Sequence, residues 1–181
     1  MGYSNSSSLF GALKSKQIDV LLSNSIDDSQ RKSLNNLSKN KQLKEGNSPF
    51  TELSFISLKT SSYPLNNLNL RLALAKSLNR ELISEKVSYG LRNPSRSIIP
   101  PILKKDNQEP WPKYDYLEAR SLLQKENYCN GNILKIPLTY RSNVPADKLI
   151  ALTWQEEIKS SLKDCIDIKL MGVNLQQFIR I

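Results

Sequence analysis

An α/β fold, a mixed sheet with flanking helices, is what the sequence predicts, and three features carry that reading. Residues 133–140 alternate Leu134, Ile136, Leu138 and Tyr140 with Lys135, Pro137 and Thr139, the period of a strand with one buried face. A helical stretch opened by Pro145 follows, and Ile166, Ile168 and Leu170 then resume the alternation. Strand, helix and strand at this spacing make a βαβ unit, whose strands run parallel through a right-handed crossover. Upstream, Leu53, Phe55 and Ser57 alternate with Glu52, Ser54, Ile56 and Leu58. Both faces carry apolar side chains there, so residues 50–59 read as a central strand covered on both sides.

Bulk properties agree with one globular domain or part of a larger one. The chain has 181 residues, 39% hydrophobic and 24% charged, with a net charge of +9 and no histidine. No stretch approaches the roughly 18 uninterrupted apolar residues a membrane helix needs. The opening, MGYSNSSSLFGALKSKQ, lacks the basic end and apolar run of a secretory leader. Without histidine the commonest general base and metal ligand are gone. No nucleophile–base pair or metal set can be assembled, so no catalytic residue, metal or cofactor is assigned. The positive balance invites a nucleic-acid partner. The lysines are scattered, however, and only Lys39, Lys41 and Lys44 cluster, in a Ser/Asn-rich stretch. Solvated surface is the better account, and no nucleic acid is expected as a partner.

Taken in order, residues 7–16 read as a short helix feeding a strand at 18–22. Residues 26–36 form a second helix, with Asp27 and Asp28 at its positive end, and residues 35–48 a polar, mobile loop without periodicity. After the 50–59 strand, Pro64 biases Tyr63 towards extended backbone. Leu70, Leu74, Leu78 and Leu82 fall on one helical face. Asn79 has the chemistry of a cap for a further short helix carrying Glu81 and Glu85, and Gly90 suits a left-handed close. Pro94, Pro100 and Pro101 then commit the chain to a stiff loop. Residues 114–127 read as a helix with Leu117, Ala119, Leu122 and Leu123 buried, bracketed by Asp115 and by Asn130-Gly131. Pro137 gives nothing to a ladder, which puts the first strand of the βαβ unit at an edge or a bulge. The helix after it buries Ile150, Trp154 and Ile158, and a last helix begins at Asn174.

Two blocks resemble a known family. Arg71-Xaa-Ala73-Leu74, then Asn79-Arg80-Xaa-Leu82-Ile83, then Gly90 and Pro100-Pro101 are similar to a segment of the family 5 extracellular solute-binding proteins, the oligopeptide, dipeptide and nickel receptors of ABC importers. Asn79 stands where that family more often has Asp, which keeps the capping chemistry. Tyr114, Asp115, Glu118, Ala119, Leu122, Leu123 and Tyr128 resemble its Tyr-Asp-Pro-Glu-Lys-Ala-Lys-Xaa-Leu-Leu and Gly-Tyr wording. Ala12-Leu13, Gln17, Ile18, Asp19 and Val20 resemble a Leu-Xaa-Xaa-Gly-Glu-Ile-Asp-Val segment, with Lys16 where Gly is usual.

The resemblance implies one lobe of a type II-like periplasmic binding protein. Residues 1–48 would be a lead-in, and 49–181 the larger lobe, truncated at its C-terminal end. It implies a solute, most naturally a peptide, as ligand, an ABC permease as partner, and a periplasmic or extracytoplasmic location. Contact with the membrane would come only through the transporter or a lost lipid anchor. The family's acidic grip on a peptide amino terminus lies beyond the helix begun at Asn174, so no residue here inherits it. A cytoplasmic solute-sensing regulator reusing the same lobe, and a basic nucleic-acid-binding domain, are the alternatives.

Ligands of open α/β sheets meet the carboxyl ends of strands, which makes Tyr140, Arg141, Ser142 and Asn143 the candidate binding residues; Ser142 or Asn143 capping the next helix is the structural alternative. Tyr89 and Arg92, beside the proline loop, are further candidates. Cys129 and Cys165 precede the two strands of the βαβ unit, at the same end. Strands about 4.8 Å apart and a Cα limit of roughly 7 Å admit a disulfide there, and two reduced, part-buried thiols are the alternative. A bridge would fit an oxidising compartment.

Overall fold

Apolar stripes from three helices and a parallel strand pair meet in a single core in the computed structural model, which describes residues 5–22, 25–46, 53–104 and 109–180. The elements run α1 (Ser6–Lys14), α2 (Asp28–Lys39), α3 (Leu68–Lys76), α4 (Arg80–Ser88), a 3-10 turn (Pro101–Leu103), α5 (Tyr116–Lys125), β1 (Leu134–Arg141), α6 (Pro145–Ser161), β2 (Ile166–Val173) and α7 (Leu175–Ile179). Leu70, Ala73 and Leu74 of α3, Ala119 and Leu123 of α5, Trp154 and Ile158 of α6, and the inward residues of both strands fill the core.

The βαβ unit forms as the alternation requires. β1 and β2 are parallel, in register from Leu134 opposite Ile166 to Arg141 opposite Val173. Leu134, Ile136, Ile166 and Ile168 point inward and are buried, while Lys135 and Asp167 stay outside, as a period of two dictates. Pro145 begins α6, where its missing N–H costs nothing. The buried Trp154 indole N–H donates to the Ser77 hydroxyl at 3.2 Å, and that hydroxyl donates to the Leu74 carbonyl at 2.8 Å. This relay fastens α6 to the end of α3.

Helix starts follow the polar side chains that the sequence offers. Asn67, Asn79 and Asp115 each accept a backbone N–H from the first turn of α3, α4 and α5. Asp27 and Gln30 form a capping box at α2, the arrangement that satisfies two otherwise unpaired donors. At the other end of the βαβ unit, Cys129 and Cys165 are joined by a disulfide with their Cα atoms 4.0 Å apart. It ties the turn after α5 to the start of β2.

Several expectations are corrected. Residues 18–22 and 53–59 form no strand. Strands exist through ladder partners, and the described residues hold one sheet of two parallel strands, narrower than the mixed sheet expected. Val20, Leu22 and Phe55 are exposed, while Ile56 and Leu58 still pack against the core. Residues 47–52, which end the expected loop and begin the expected strand, lie outside the described residues. The first part of that loop, to Lys39, is the last turn of α2. The leucine face at 70–82 is broken between α3 and α4 by the Asn79 cap. α4 closes on Tyr89 in the left-handed region (φ 55°) before Gly90 (φ 74°) continues it. Leu117 is exposed, because the side of α5 that meets α3 is the one bearing Ala119 and Leu123.

Candidate functional site

The parallel pairing of β1 and β2 sends both strands to one end, where β1 hands over to α6. Tyr140 and Arg141 are the last residues of β1, facing Gly172 and Val173 across the ladder. Each residue there has a distinct engagement. The Arg141 guanidinium donates Nε to Asp147 Oδ2 at 2.6 Å and NH2 to Oδ1 at 3.1 Å. This bidentate pair joins the strand end to the first turn of α6, and the hydrogen bond to Asp147 holds the guanidinium protonated even more firmly than usual. Ser142 donates both its backbone N–H (2.8 Å) and its hydroxyl (3.0 Å) to the Val173 carbonyl, extending the clasp between the strands.

Neither Ser142 nor Asn143 caps α6. Val144 is its N-cap residue, and no side chain closes that end. Asn143 is exposed. The Tyr140 ring crosses onto β2 at Gly172, and its hydroxyl has no hydrogen-bond partner among the described residues. The structure thus gathers Tyr140, Arg141, Ser142 and Asn143 at one place but divides them. Arg141 and Ser142 are spent on the fold, whereas Tyr140 and Asn143 keep free polar groups.

Tyr89 and Arg92 do other work. The Lys32 ammonium sits 4.4 Å from the centre of the Tyr89 ring, a cation–π contact. Arg92 pairs with Asp28 at 3.1 Å. Both partners lie on α2, a helix without a single buried residue, so Tyr89 and Arg92 hold α2 against α4.

A concavity of about 380 Å³ opens elsewhere, between the start of α3 and the end of α5, lined by Tyr63, Pro64, Asn66, Asn67, Leu70, Glu126 and Tyr128. Glu126 accepts from the side-chain amides of Asn67 at 2.6 Å and Asn69 at 2.7 Å. Burial pushes the Tyr128 hydroxyl upward, and its hydrogen bond with Tyr63 adds to the shift. The Glu126 carboxylate and the two tyrosine hydroxyls of this cleft are therefore engaged, while the Asn66 carboxamide has no partner among the described residues. Among the described residues no group of His, Cys, Asp and Glu is arranged to hold a metal ion.

Residues 2–178 match the model of the bacterial extracellular solute-binding proteins, family 5 Middle. The chain belongs to that family. It is 30% identical over 128 residues to the glutathione-binding protein GsiB of Escherichia coli O6:K15:H31 (strain 536 / UPEC), an overlap that takes in 70% of this chain and 25% of GsiB. The chain thus spans about a quarter of the curated relatives it matches. The fold is shared with NikA from Brucella suis in complex with Fe(III)-EDTA (TM-score 0.76, 19% identity, covering 98% of this chain and 37% of NikA). It is shared also with Burkholderia pseudomallei OppA (TM-score 0.70, 24% identity, 99% of this chain and 35% of OppA). The Escherichia coli murein tripeptide binding protein MppA aligns with TM-score 0.58 and 26% identity over 67% of this chain and 24% of its own. The α/β arrangement is therefore part of the type II periplasmic binding protein fold.

Two features of this family 5 chain escaped the sequence reading. Gly172 is one, although a lone glycine inside an alternating strand is a recognised sign of close approach. The cleft is the other. Its lining residues are spread over about a third of the chain, from Tyr63 to Tyr128, and only the packing of α3 on α5 brings them together.

Proposed function

We propose that this chain is part of the solute-binding component of an ABC-type importer and forms one wall of its ligand cleft. Membership in family 5 across residues 2–178 carries the reading. Relatives named for binding glutathione and murein tripeptide favour a peptide or peptide-like solute. Residues 49–181 act as the larger lobe and 1–48 lead into it. The wall is the end of the β1–β2 pair, where Tyr140 and Asn143 offer free polar groups and Arg141 and Ser142 stiffen the support. Recognition is by hydrogen bonding in a closing cleft, with an ABC permease receiving the solute. The disulfide supports folding outside the cytoplasm, where such bonds persist.

Calorimetry with glutathione and with a mixture of short peptides tests this. The full-length product of the reading frame gives a saturable heat with one of the two probes, and residues 1–181 alone give none, because a single wall cannot enclose a ligand. A saturable signal from residues 1–181 alone would overturn the one-wall reading. No signal from the full-length product with either probe would overturn the solute class.

A further inference from the structure

Among the described glycines, Gly172 alone makes room for a neighbouring side chain. A Cβ built there would lie 3.0 Å from both Cζ and Oη of Tyr140 and 3.2 Å from Cε2, while the other described glycines have nothing within 4 Å. Contacts this short are tighter than nearly all real Cβ contacts, so a side chain at 172 would push the phenol end of the ring aside by a few tenths of an ångström or more. It is the phenol end of Tyr140, rather than the root of the ring, that rests on β2. The ladder sets this up by pairing Tyr140 directly with Gly172. A glycine inside a strand weakens it and is otherwise unfavourable, and here the aromatic ring covers the gap.

The surrounding groups decide what chemistry is left. Arg141 is neutralised by Asp147 in a two-point pair, and Ser142 is bound to Val173. The Tyr140 hydroxyl and the Asn143 carboxamide have no partner among the described residues. The uncommitted groups at this end are thus neutral hydrogen-bonding groups. They suit carbonyl and amide groups along a solute better than its charged terminus, which an unpaired arginine would grip.

Resting on the reading that this end faces the ligand, we propose that Gly172 is a positioning residue: by lacking a side chain it lays Tyr140 across β2, so that the phenol hydroxyl and Asn143 hydrogen-bond neutral carbonyl groups of the solute. Gly172 acts only through Tyr140.

Equilibrium binding of glutathione and of a short-peptide mixture to the full-length product tests the proposal, alongside the α-proton resonances of Gly172 in residues 1–181. Tyr140→Phe keeps the ring, removes the hydroxyl and weakens binding about 5-fold, the effect of one neutral hydrogen bond. Gly172→Ala weakens binding to a similar degree, yet adds nothing in a Tyr140→Ala background, since coupled residues fail to add. In residues 1–181, Tyr140→Ala moves the Gly172 α-proton resonances by removing the ring current above them. If those resonances stay put, the ring does not rest on Gly172 and the proposal falls. Equal loss from Gly172→Ala in both backgrounds removes the positioning role while leaving Tyr140 as a ligand contact. Unchanged affinity in both Tyr140→Phe and Tyr140→Ala overturns the ligand-facing reading of this sheet end, and the proposal with it.

Discussion

Breaking the Cys129–Cys165 bridge should be the most damaging single chemical change to this chain. The two cysteines are 36 residues apart in sequence, so the bridge closes a loop containing all of β1 and α6. In the chain-entropy account, closing a loop of that length removes roughly 13 cal/mol/K from the unfolded ensemble, or about 4 kcal/mol at room temperature. Both cysteines are buried, Cys165 completely, so reduction also leaves two thiols inside the core where substitution would open a cavity. Comparing oxidised and reduced wild type isolates the cross-link, because side-chain volume barely changes. Urea unfolding followed by tryptophan emission, with Trp154 in the core as reporter, should place the reduced protein about 4 kcal/mol below the oxidised one with a larger denaturant slope. The double variant Cys129→Ala/Cys165→Ala should lose at least as much. A loss below about 1 kcal/mol would refute the reasoning, since the bridge would then restrict the unfolded chain far less than the loop-entropy account requires. Alkylation of both thiols in denaturant without reductant would refute it more directly, by showing that no bridge forms.

Four further outcomes follow from side-chain placement. Ser77→Ala leaves the buried Trp154 N–H without its acceptor and should cost about 1–3 kcal/mol by denaturant unfolding. Asn79→Asp restores the residue more usual in the family and keeps the α4 cap, yet it should destabilise by about 1–2 kcal/mol at neutral pH. The Asn79 amide donates to Glu157 Oε1 at 3.3 Å, and the substitution would set two carboxylates face to face; melts of the variant should recover on acidification, as either carboxylate takes up a proton. Lys16→Gly should raise stability by about 1 kcal/mol, because Lys16 holds φ 60°. Burial pushes the Tyr114 hydroxyl from 10.0 up to about 12, with the Glu157 carboxylate beside it adding to the shift. The folded chain therefore favours the neutral phenol, a contribution that is whole below pH 10 and lost as pH rises towards 12; Tyr114→Phe should shrink that alkaline loss in thermal melts.

Elements whose own residues carry a period of two or 3.6 and a cap were readable. α5, β1, α6 and β2 needed nothing beyond their own sequence, since Asp115, Pro145 and the alternating leucines and isoleucines each state their role locally. Residues 53–59 alternate just as well and 18–22 are as apolar, but pairing is a property of two segments, and neither has a ladder partner among the described residues. Leu117 misled for a related reason: its position within a helix is local, while the side on which α3 packs is not. The candidate site divides the same way. The strand end could be located from the βαβ pattern, whereas the pairing of Arg141 with Asp147 and the docking of Tyr89 and Arg92 onto α2 depend on rotamers and tertiary approach.

The departures from the family wording become intelligible once backbone angles are known. Lys16 stands where Gly is usual, and Asn127 precedes Tyr128 where the family has Gly-Tyr; both adopt positive φ, 60° and 64°. The fold keeps the left-handed turns and accepts residues that strain to make them, Asn with less difficulty than Lys. At Gly172 the relation is reversed: its φ lies outside the positive range, so the glycine is there for space rather than for conformation. The two ends of the βαβ unit then carry opposite designs. Below, Cys129 and Cys165 lock the strand starts covalently and bury them. Above, the strand ends are held by one ion pair and one serine clasp, and the Tyr140 hydroxyl and Asn143 amide are left open. Rigidity at one end and unspent hydrogen-bonding capacity at the other is what a preorganised binding wall requires, and it favours the proposed site at the Tyr140 end over the cleft at Glu126, whose carboxylate is already held by Asn67 and Asn69.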